Sequence, residues 1–115
     1  METKPHLSVF INNNNMEWEQ TDAGVKRKIM CFDEKLMLVK VHFEKGAIGT
    51  LHSHPHSQIT HINKGVFKVT IGDEEKILSM GDAFYAPPNT MHGAECLEEG
   101  ILIDTFSPMR EDFLK

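Results

Sequence analysis

The sequence predicts an all-β sandwich or barrel, because strand-like segments alternate with closely spaced turn signals along most of its length. Residues 25–31 and 37–43 follow a two-residue alternation, which is the period of a half-buried strand. Turn-forming residues then recur at short intervals, at Lys45-Gly46, Asn63-Lys64-Gly65, Gly72-Asp73, Met80-Gly81-Asp82, Pro87-Pro88-Asn89 and Glu99-Gly100. Further strand-like runs lie between these turns, for example at 66–71 and 101–103.

The two ends of the chain depart from this pattern. Residues 1–24 are polar and rich in turn formers, and we expect an N-terminal arm that ends in an anchoring aromatic residue, Trp18. Residues 25–115 then form one barrel domain, which suits a chain of 115 residues. The tail at 109–114 is the one predicted helix, with room for about one or two turns. The methionines, including those at 37, 80 and 91, are interpreted as core filling.

Composition argues against several classes of function. The net charge is −5 and no basic run exceeds Lys26-Arg27-Lys28, so a nucleic-acid partner is not expected. The two cysteines, Cys31 and Cys96, lack paired spacing, which favours a reducing compartment over a disulfide scaffold, and Cys96 is interpreted as a core residue. The sequence has no apolar signal core or membrane-spanning run, so we expect a cytoplasmic protein without a membrane partner.

Histidines are concentrated in a pattern that predicts a metal site. Four of them fall within residues 52–61, and His92 follows a stretch rich in proline. Since alternate residues of a strand share a face, His52 and His54 are expected to point into the barrel together. With Gln58 and His92 they would offer one metal ion three imidazoles and a carbonyl oxygen, with positions left for a substrate or a ligand. Ni, Zn, Mn, Fe and Co all accept such donors, so the sequence leaves the identity of the divalent ion open.

The spacing of these residues resembles the two motifs of the cupin family. The chain is similar to the first motif at Gly46-x5-His52-x-His54-x3-Gln58-x6-Gly65, with glutamine in place of the usual glutamate. It is similar to the second at Gly81-x5-Pro87-x-Asn89-x2-His92-x3-Cys96, where Asn89 replaces the usual glycine and Cys96 the usual asparagine. The resemblance implies a cupin double-stranded β-helix, also called a jelly-roll barrel, that ends in a short helical turn.

Other segments narrow the resemblance to the KdgF-type cupins of uronate catabolism. They lie at 24–29, 43–49 and 54–58 and, above all, in the ending Ile103-Asp104-Thr105-Phe106-Ser107-Pro108-Met109-Arg110-Glu111-Asp112-Phe113-Leu114. The similarity runs from about Met16 to Leu114. It implies a metal-dependent enzyme of pectin and alginate degradation, with isomerase-like chemistry. Its substrate is a small anionic sugar, a ring-closed C4–C5-unsaturated monouronate, which it converts to a linear ketonised form.

The same ending supplies the candidate catalytic residues. Asp104 lies on an apolar segment, where partial burial would raise its pKa toward that of a general acid–base, although a strand-end aspartate with a structural hydrogen bond has the same pattern. By residue type alone, Phe106 is a core side chain and Arg110 pairs with one of the two acidic residues that follow it. The resemblance places all three in the site, where the planar guanidinium of Arg110 suits a carboxylate.

Two other function classes remain open from the sequence. One is a cupin oxygenase with Fe(II) at the same ligands, which is disfavoured because Asp104, Phe106 and Arg110 have no evident role in oxygen activation. The other is a metal- or sugar-binding module without turnover. His56 and His61 have open roles, either near the substrate or as surface or core histidines. The exposed edge strands of a small barrel predict a homodimer.

Overall fold

A computed structural model describes residues 9–114 and confirms the all-β prediction. Its strands, all paired antiparallel, are β1 (Glu19–Asp22), β2 (Val25–Phe32), β3 (Met37–Phe43), β4 (Ile48–His52), β5 (Ser57–Ile71), β6 (Glu74–Ser79), β7 (Ala83–Ala86) and β8 (His92–Ser107). Short 3-10 helices lie at Asn13–Asn15 and, as predicted for the tail, at Glu111–Leu114. Within the described range, no helix has the length and apolar character needed to cross a membrane.

Two long strands join the halves of the barrel. β5 has 15 residues and β8 has 16, and they pair from Ser57 opposite Ser107 to Ile71 opposite His92. The strand order is β1-β2-β3-β8-β5-β6, with β4 added to β8 and β7 added to β5. Because each long strand pairs with different neighbours at its two ends, β5 and β8 belong to both sheet layers. The buried side chains lie between these layers.

Two of the predicted turns are wrong, since Asn63-Lys64-Gly65 lies inside β5 and Glu99-Gly100 lies inside β8. The strand register shifts at this point, which is a β-bulge rather than a chain reversal. Gly65 has a φ of +89°, and a Cβ there would lie 2.6 Å from two carbonyl oxygens of β8. A Cβ on Gly100 would lie 2.3 Å from the Lys64 carbonyl oxygen. The glycines therefore serve a close approach of the two bent strands.

The core divides into two clusters. The larger one includes Val25, Phe43, Ala47, Ile62, Phe67, Val69, Cys96 and Leu102, and the smaller one includes Met37, Val39 and Phe106. The core assignment of Cys96 is confirmed, and burial raises the pKa of its thiol. The interpretation of the methionines as core filling holds for Met37 but is wrong for Met80 and Met91, which are 71% and 48% exposed. Both lie at or beside turns that border the strands.

The predicted arm contributes an edge strand to the barrel. Within residues 1–24, β1 pairs with β2, with Glu19 opposite Arg27. The expectation that Trp18 anchors the arm agrees with its contacts, because the amines of Lys26 and Lys28 lie 4.8 and 4.6 Å from the centre of its ring. The division of the chain at residue 24 stays a prediction, and its first eight residues lie outside the described range.

The bulge gives a testable prediction about stability. Gly65→Ala is expected to lower the free energy of unfolding by about 2–5 kcal/mol. An alanine in the left-handed backbone conformation costs about 1–2 kcal/mol, and overpacking against β8 adds about 1–3 kcal/mol. Gly46→Ala is the matched control, since Gly46 has a φ of +86° but nothing within 4 Å of its added Cβ. Gly46→Ala should lower the free energy of unfolding only by the backbone contribution of about 1–2 kcal/mol. Urea unfolding of both variants measures the difference, and equal losses would contradict the close approach of β5 and β8.

Candidate metal centre

Strand pairing brings the predicted metal ligands together. β4 and β8 pair with His52 directly opposite His92, and Gln58 lies near the start of the neighbouring β5. His54 lies beyond the end of β4, in the connection to β5, so its assignment to a strand with His52 is wrong. The connection nevertheless turns its ring back toward the others. One nitrogen of each imidazole lies within 4.8 Å of the other two.

Backbone carbonyls orient the three imidazoles. In each ring Nδ1 donates to a carbonyl oxygen two residues away: His52 to Thr50 at 2.8 Å, His54 to His56 at 3.1 Å and His92 to Thr90 at 2.9 Å. Since a carbonyl oxygen only accepts, Nδ1 carries the proton in each ring and Nε2 keeps its lone pair. This is the tautomer that binds a metal through Nε2.

Burial keeps the two inner imidazoles neutral. It lowers the pKa of His54 from 6.5 to about 4, and the positive charge of Arg110 adds to this effect. Burial also lowers the pKa of His92. Both imidazoles are therefore uncharged near neutral pH, with no proton on Nε2, as metal coordination requires.

Gln58 completes a donor set that fits a cation. Its Nε2 donates to Thr60 Oγ1 at 2.9 Å, while its Oε1 lies 3.0 Å from His54 Nε2 and 3.2 Å from His92 Nε2. Because Nδ1 of each histidine donates to a backbone carbonyl, the Nε2 atoms of His54 and His92 can only accept hydrogen bonds, as can Gln58 Oε1. The lone pairs of these three atoms therefore face one another. A divalent transition metal ion removes that repulsion and accepts nitrogen and oxygen ligands of this kind.

Asp104 lies beside the ligands, on the part of β8 that pairs with β5. Its Oδ1 accepts a hydrogen bond of 2.6 Å from Thr60 Oγ1 and a longer one of 3.4 Å from Gln58 Nε2. Burial raises its pKa from 3.8 to about 6, against the opposing effects of the Thr60 hydrogen bond and the charge of Arg110. Together with His52, Gln58 and His92, Asp104 lines a cavity of about 90 Å³ in the barrel. The position and pKa of this carboxyl suit proton transfer.

Phe106 and Arg110 are not among the residues that line this cavity, and they lie next to its histidines. Phe106 is 2% exposed, and its ring meets the ring of His54 edge to face at 5.8 Å. Arg110 lies over Phe106 at 5.1 Å and is itself 8% exposed. Its Nε and Nη2 donate to the two carboxylate oxygens of Asp112 at 3.1 and 2.9 Å, which lowers the pKa of that group. The ion pair expected from residue type is therefore present, but Arg110 is buried and three of its N–H groups remain for another partner.

The two histidines with open roles have different surroundings. His61 is exposed on β5, between Ala83 of β7 and Ile103 of β8. His56 is buried, its Nε2 lies 3.5 Å from Glu111 Oε1, and its carbonyl oxygen accepts from His54. Among the described residues, His56 therefore supports the site and His61 lies outside it.

Two residues of the site were missed in the sequence. Thr60 connects Gln58 with Asp104, and Phe113 lies 4.3 Å from the Arg110 guanidinium. The position of Thr60, two residues after Gln58 on one strand, was an available signal because such residues share a face. Its pairing with Asp104 depends on the β5–β8 register, for which the sequence offers no local signal.

Comparison with known proteins finds relatives in both sequence and structure. The family model described as Cupin domain matches residues 39–104. The pectin degradation protein KdgF of Dickeya dadantii is 54% identical over 107 residues, which cover 91% of this chain and 97% of that protein. The solved structure of KdgF from Halomonas sp. has a TM-score of 0.89 at 44% identity, covering 92% of this chain and 98% of that one. An RmlC-like cupin from Shewanella frigidimarina has a TM-score of 0.93 at 43% identity, covering 96% and 99%.

Proposed function

Because the chain belongs to the cupin family and, within it, to the KdgF proteins, we propose that it acts in pectin degradation as a metal-dependent, isomerase-like enzyme. Its substrates are C4–C5-unsaturated monouronates, and its products are the linear ketonised uronates. The observation that carries this proposal is the convergence of three imidazole Nε2 atoms and the Gln58 oxygen beside a carboxyl group with a raised pKa.

The proposed ligands of the divalent ion are His52, His54, Gln58 and His92. A bound ion supplies Lewis acidity toward an oxygen of the substrate. All four ligands are neutral, so the centre keeps the full charge of the ion. A neutral ligand set therefore favours an anionic substrate such as a uronate. Ni, Zn, Mn, Fe and Co all remain candidates for the ion.

Asp104 is the proposed general acid–base. Ring opening of the hemiacetal breaks the bond between C1 and the ring oxygen. The C1 hydroxyl loses a proton and becomes an aldehyde, and the ring oxygen gains a proton and becomes an enol hydroxyl on C5. The enol becomes a ketone when C4 gains a proton and the enol hydroxyl loses one. No atom is gained or lost overall, so a single carboxyl group that accepts and returns protons suffices. Asp104 has the environment for this role, because it faces the cavity and has a pKa of about 6.

Arg110 and Phe106 complete the proposed site. The N–H groups of Arg110 that Asp112 leaves unused bind the substrate carboxylate as the sugar occupies the mouth of the cavity. Phe106 packs against both the His54 ring and the Arg110 guanidinium. It therefore fixes the position of a metal ligand relative to the group that binds the substrate carboxylate.

Arg110→Lys tests the binding role. We expect KM to rise about 10- to 100-fold with a smaller change in kcat, because a hydrogen bond to a charged group contributes about 1.5–3 kcal/mol. Arg27→Lys is the matched control, since Arg27 also lies against Phe113, at 4.0 Å, but pairs with Glu19 outside the site. Steady-state kinetics with an unsaturated monouronate measure both variants. A similar KM in the two variants would remove Arg110 from this role.

The activity itself is tested with the monouronate product of a pectate or alginate lyase. Metal-loaded protein is added, and the loss of ultraviolet absorbance from the conjugated double bond is followed. The expected result is a rate well above the spontaneous one, without oxygen consumption. A rate equal to the spontaneous one would refute the proposed function, and oxygen uptake coupled to product would favour the oxygenase instead.

The homodimer stays a prediction. Exposed apolar side chains on the barrel surface are consistent with it, including Leu36, Ile59 and Tyr85, which are 53%, 57% and 54% exposed. Light scattering coupled to gel filtration measures the mass, for which a dimer should give twice that of the 13.1 kDa chain.

A further inference from the structure

Thr60 occupies a position between the two functional halves of the site. It lies on β5, two residues after Gln58, and pairs with Asp104 across the β5–β8 ladder. Its side chain is fully buried at 0% exposure. A buried hydroxyl in a core of this kind requires partners for its polar atoms, and Thr60 has two of them, Gln58 and Asp104.

The chemistry of these partners fixes the direction of both hydrogen bonds. A threonine hydroxyl has one hydrogen, and an ionised carboxylate only accepts. Thr60 therefore donates to Asp104 Oδ1, at the short distance of 2.6 Å. The Thr60 oxygen can then only accept a hydrogen bond from Gln58. The Gln58 amide must therefore point its NH₂ group toward Thr60, and Gln58 Nε2 lies 2.9 Å from Thr60 Oγ1.

This direction matters because a glutamine amide can be placed in two ways that differ by half a turn. One turns Oε1 toward His54 and His92, and the other would turn NH₂ toward them, where it cannot ligate a metal. A glutamate ligand has no such requirement, since its two oxygens are equivalent. Resting on the proposed function, we propose that Thr60 is a positioning residue that fixes the amide orientation of Gln58, and thereby the metal affinity, through a hydroxyl that also holds Asp104.

Metal affinity of three variants tests this proposal. Thr60→Val removes the hydroxyl at nearly constant volume and should weaken Ni²⁺ and Zn²⁺ binding about 10- to 100-fold, the range expected when a group that orients a ligand is lost. Thr60→Ser keeps the hydroxyl and should bind within about threefold of the unaltered protein. Thr105→Val makes the same chemical change at the position that follows Asp104 on β8. The Thr105 side chain points to the opposite face of the sheet from Asp104, because adjacent strand residues alternate between faces. Thr105→Val should leave the affinity unchanged.

Competition with a chelator gives these affinities without substrate, so the result does not depend on the reaction. Circular dichroism checks that each variant is folded, and Thr60→Ala replaces Thr60→Val if the latter is not. The decisive comparison repeats Thr60→Val in a Gln58→Glu background, where the loss of affinity should be much smaller because a carboxylate needs no orientation. Wild-type affinity in Thr60→Val, or an equal loss in both backgrounds, would overturn the proposal.

A protein that binds neither ion would refute the proposed function and the effect of Thr60 on metal affinity, but not the positioning of Gln58 by Thr60. The orientation of Gln58 is then measured by hydrogen exchange of its side-chain amide in NMR spectra. Slow exchange is expected in the unaltered protein and in Thr60→Ser, and fast exchange is expected in Thr60→Val. Equal exchange in all three proteins would refute the positioning role.

Discussion

His92→Ala is expected to empty the metal centre and reduce turnover to the spontaneous rate. His92 is buried on β8 and lies directly opposite His52, and its Nε2 lies 3.2 Å from the Gln58 oxygen. Removing it leaves two imidazoles and one amide oxygen, a set that binds a divalent ion far more weakly than four donors. Elemental analysis after gel filtration measures the metal content, and the lyase-product assay measures turnover. His52→Ala should give the same result from the opposite strand.

His61→Ala is the matched control for this pair. It removes an exposed imidazole from β5 and should keep both the metal and the activity. Full metal occupancy in His92→Ala and His52→Ala would refute the ligand set. A loss of metal in His61→Ala as well would point to damage of the barrel rather than of the centre.

Asp104→Asn is expected to keep the fold and the metal but to lower kcat about 10²- to 10⁴-fold, the usual contribution of a general acid–base. The side-chain amide of the new residue retains an oxygen that accepts from Thr60, so the hydrogen bonds that hold Gln58 are preserved. What is lost is the capacity to exchange a proton. Kinetics at saturating substrate, together with metal analysis, separates these two effects.

Asp33→Asn controls for the chemical change. The Asp33 carboxylate accepts from the backbone of Lys35 and Leu36 in a turn, which an amide oxygen also does, so kcat should not change. Wild-type kcat in Asp104→Asn would remove Asp104 from catalysis, and loss of the metal would show that its role is structural.

The sequence predicted what depends on local pattern and missed what depends on strand register. The alternation at 25–31 and 37–43 corresponds to β2 and β3, because burial on one face leaves a period of two. The turns predicted at Gly65 and Gly100 are wrong, because a glycine that reverses the chain and one that admits a close neighbour have the same local sequence pattern.

The site divides in the same way. The spacing of His52, His54, Gln58 and His92 was enough to predict the cluster, although His54 reaches it from a connection instead of a strand. Thr60 and Asp104 are separated by 44 residues, and only the register of β5 with β8 places them in contact. Pairing at that distance depends on the whole barrel, so no local pattern reports it.

The three imidazoles are supported by the chain segments that carry them, since each Nδ1 donates to a carbonyl oxygen only two residues away. These hydrogen bonds are made to backbone oxygens, so they do not depend on the identity of the neighbouring side chains. The orientation of the three imidazoles should therefore tolerate substitutions around them. Gln58 differs, because its amide is held by side chains, closely by Thr60 and at a longer distance by Asp104. If the proposed ligand set is correct, we expect substitutions near Gln58 to change metal preference while the three imidazoles keep their orientation.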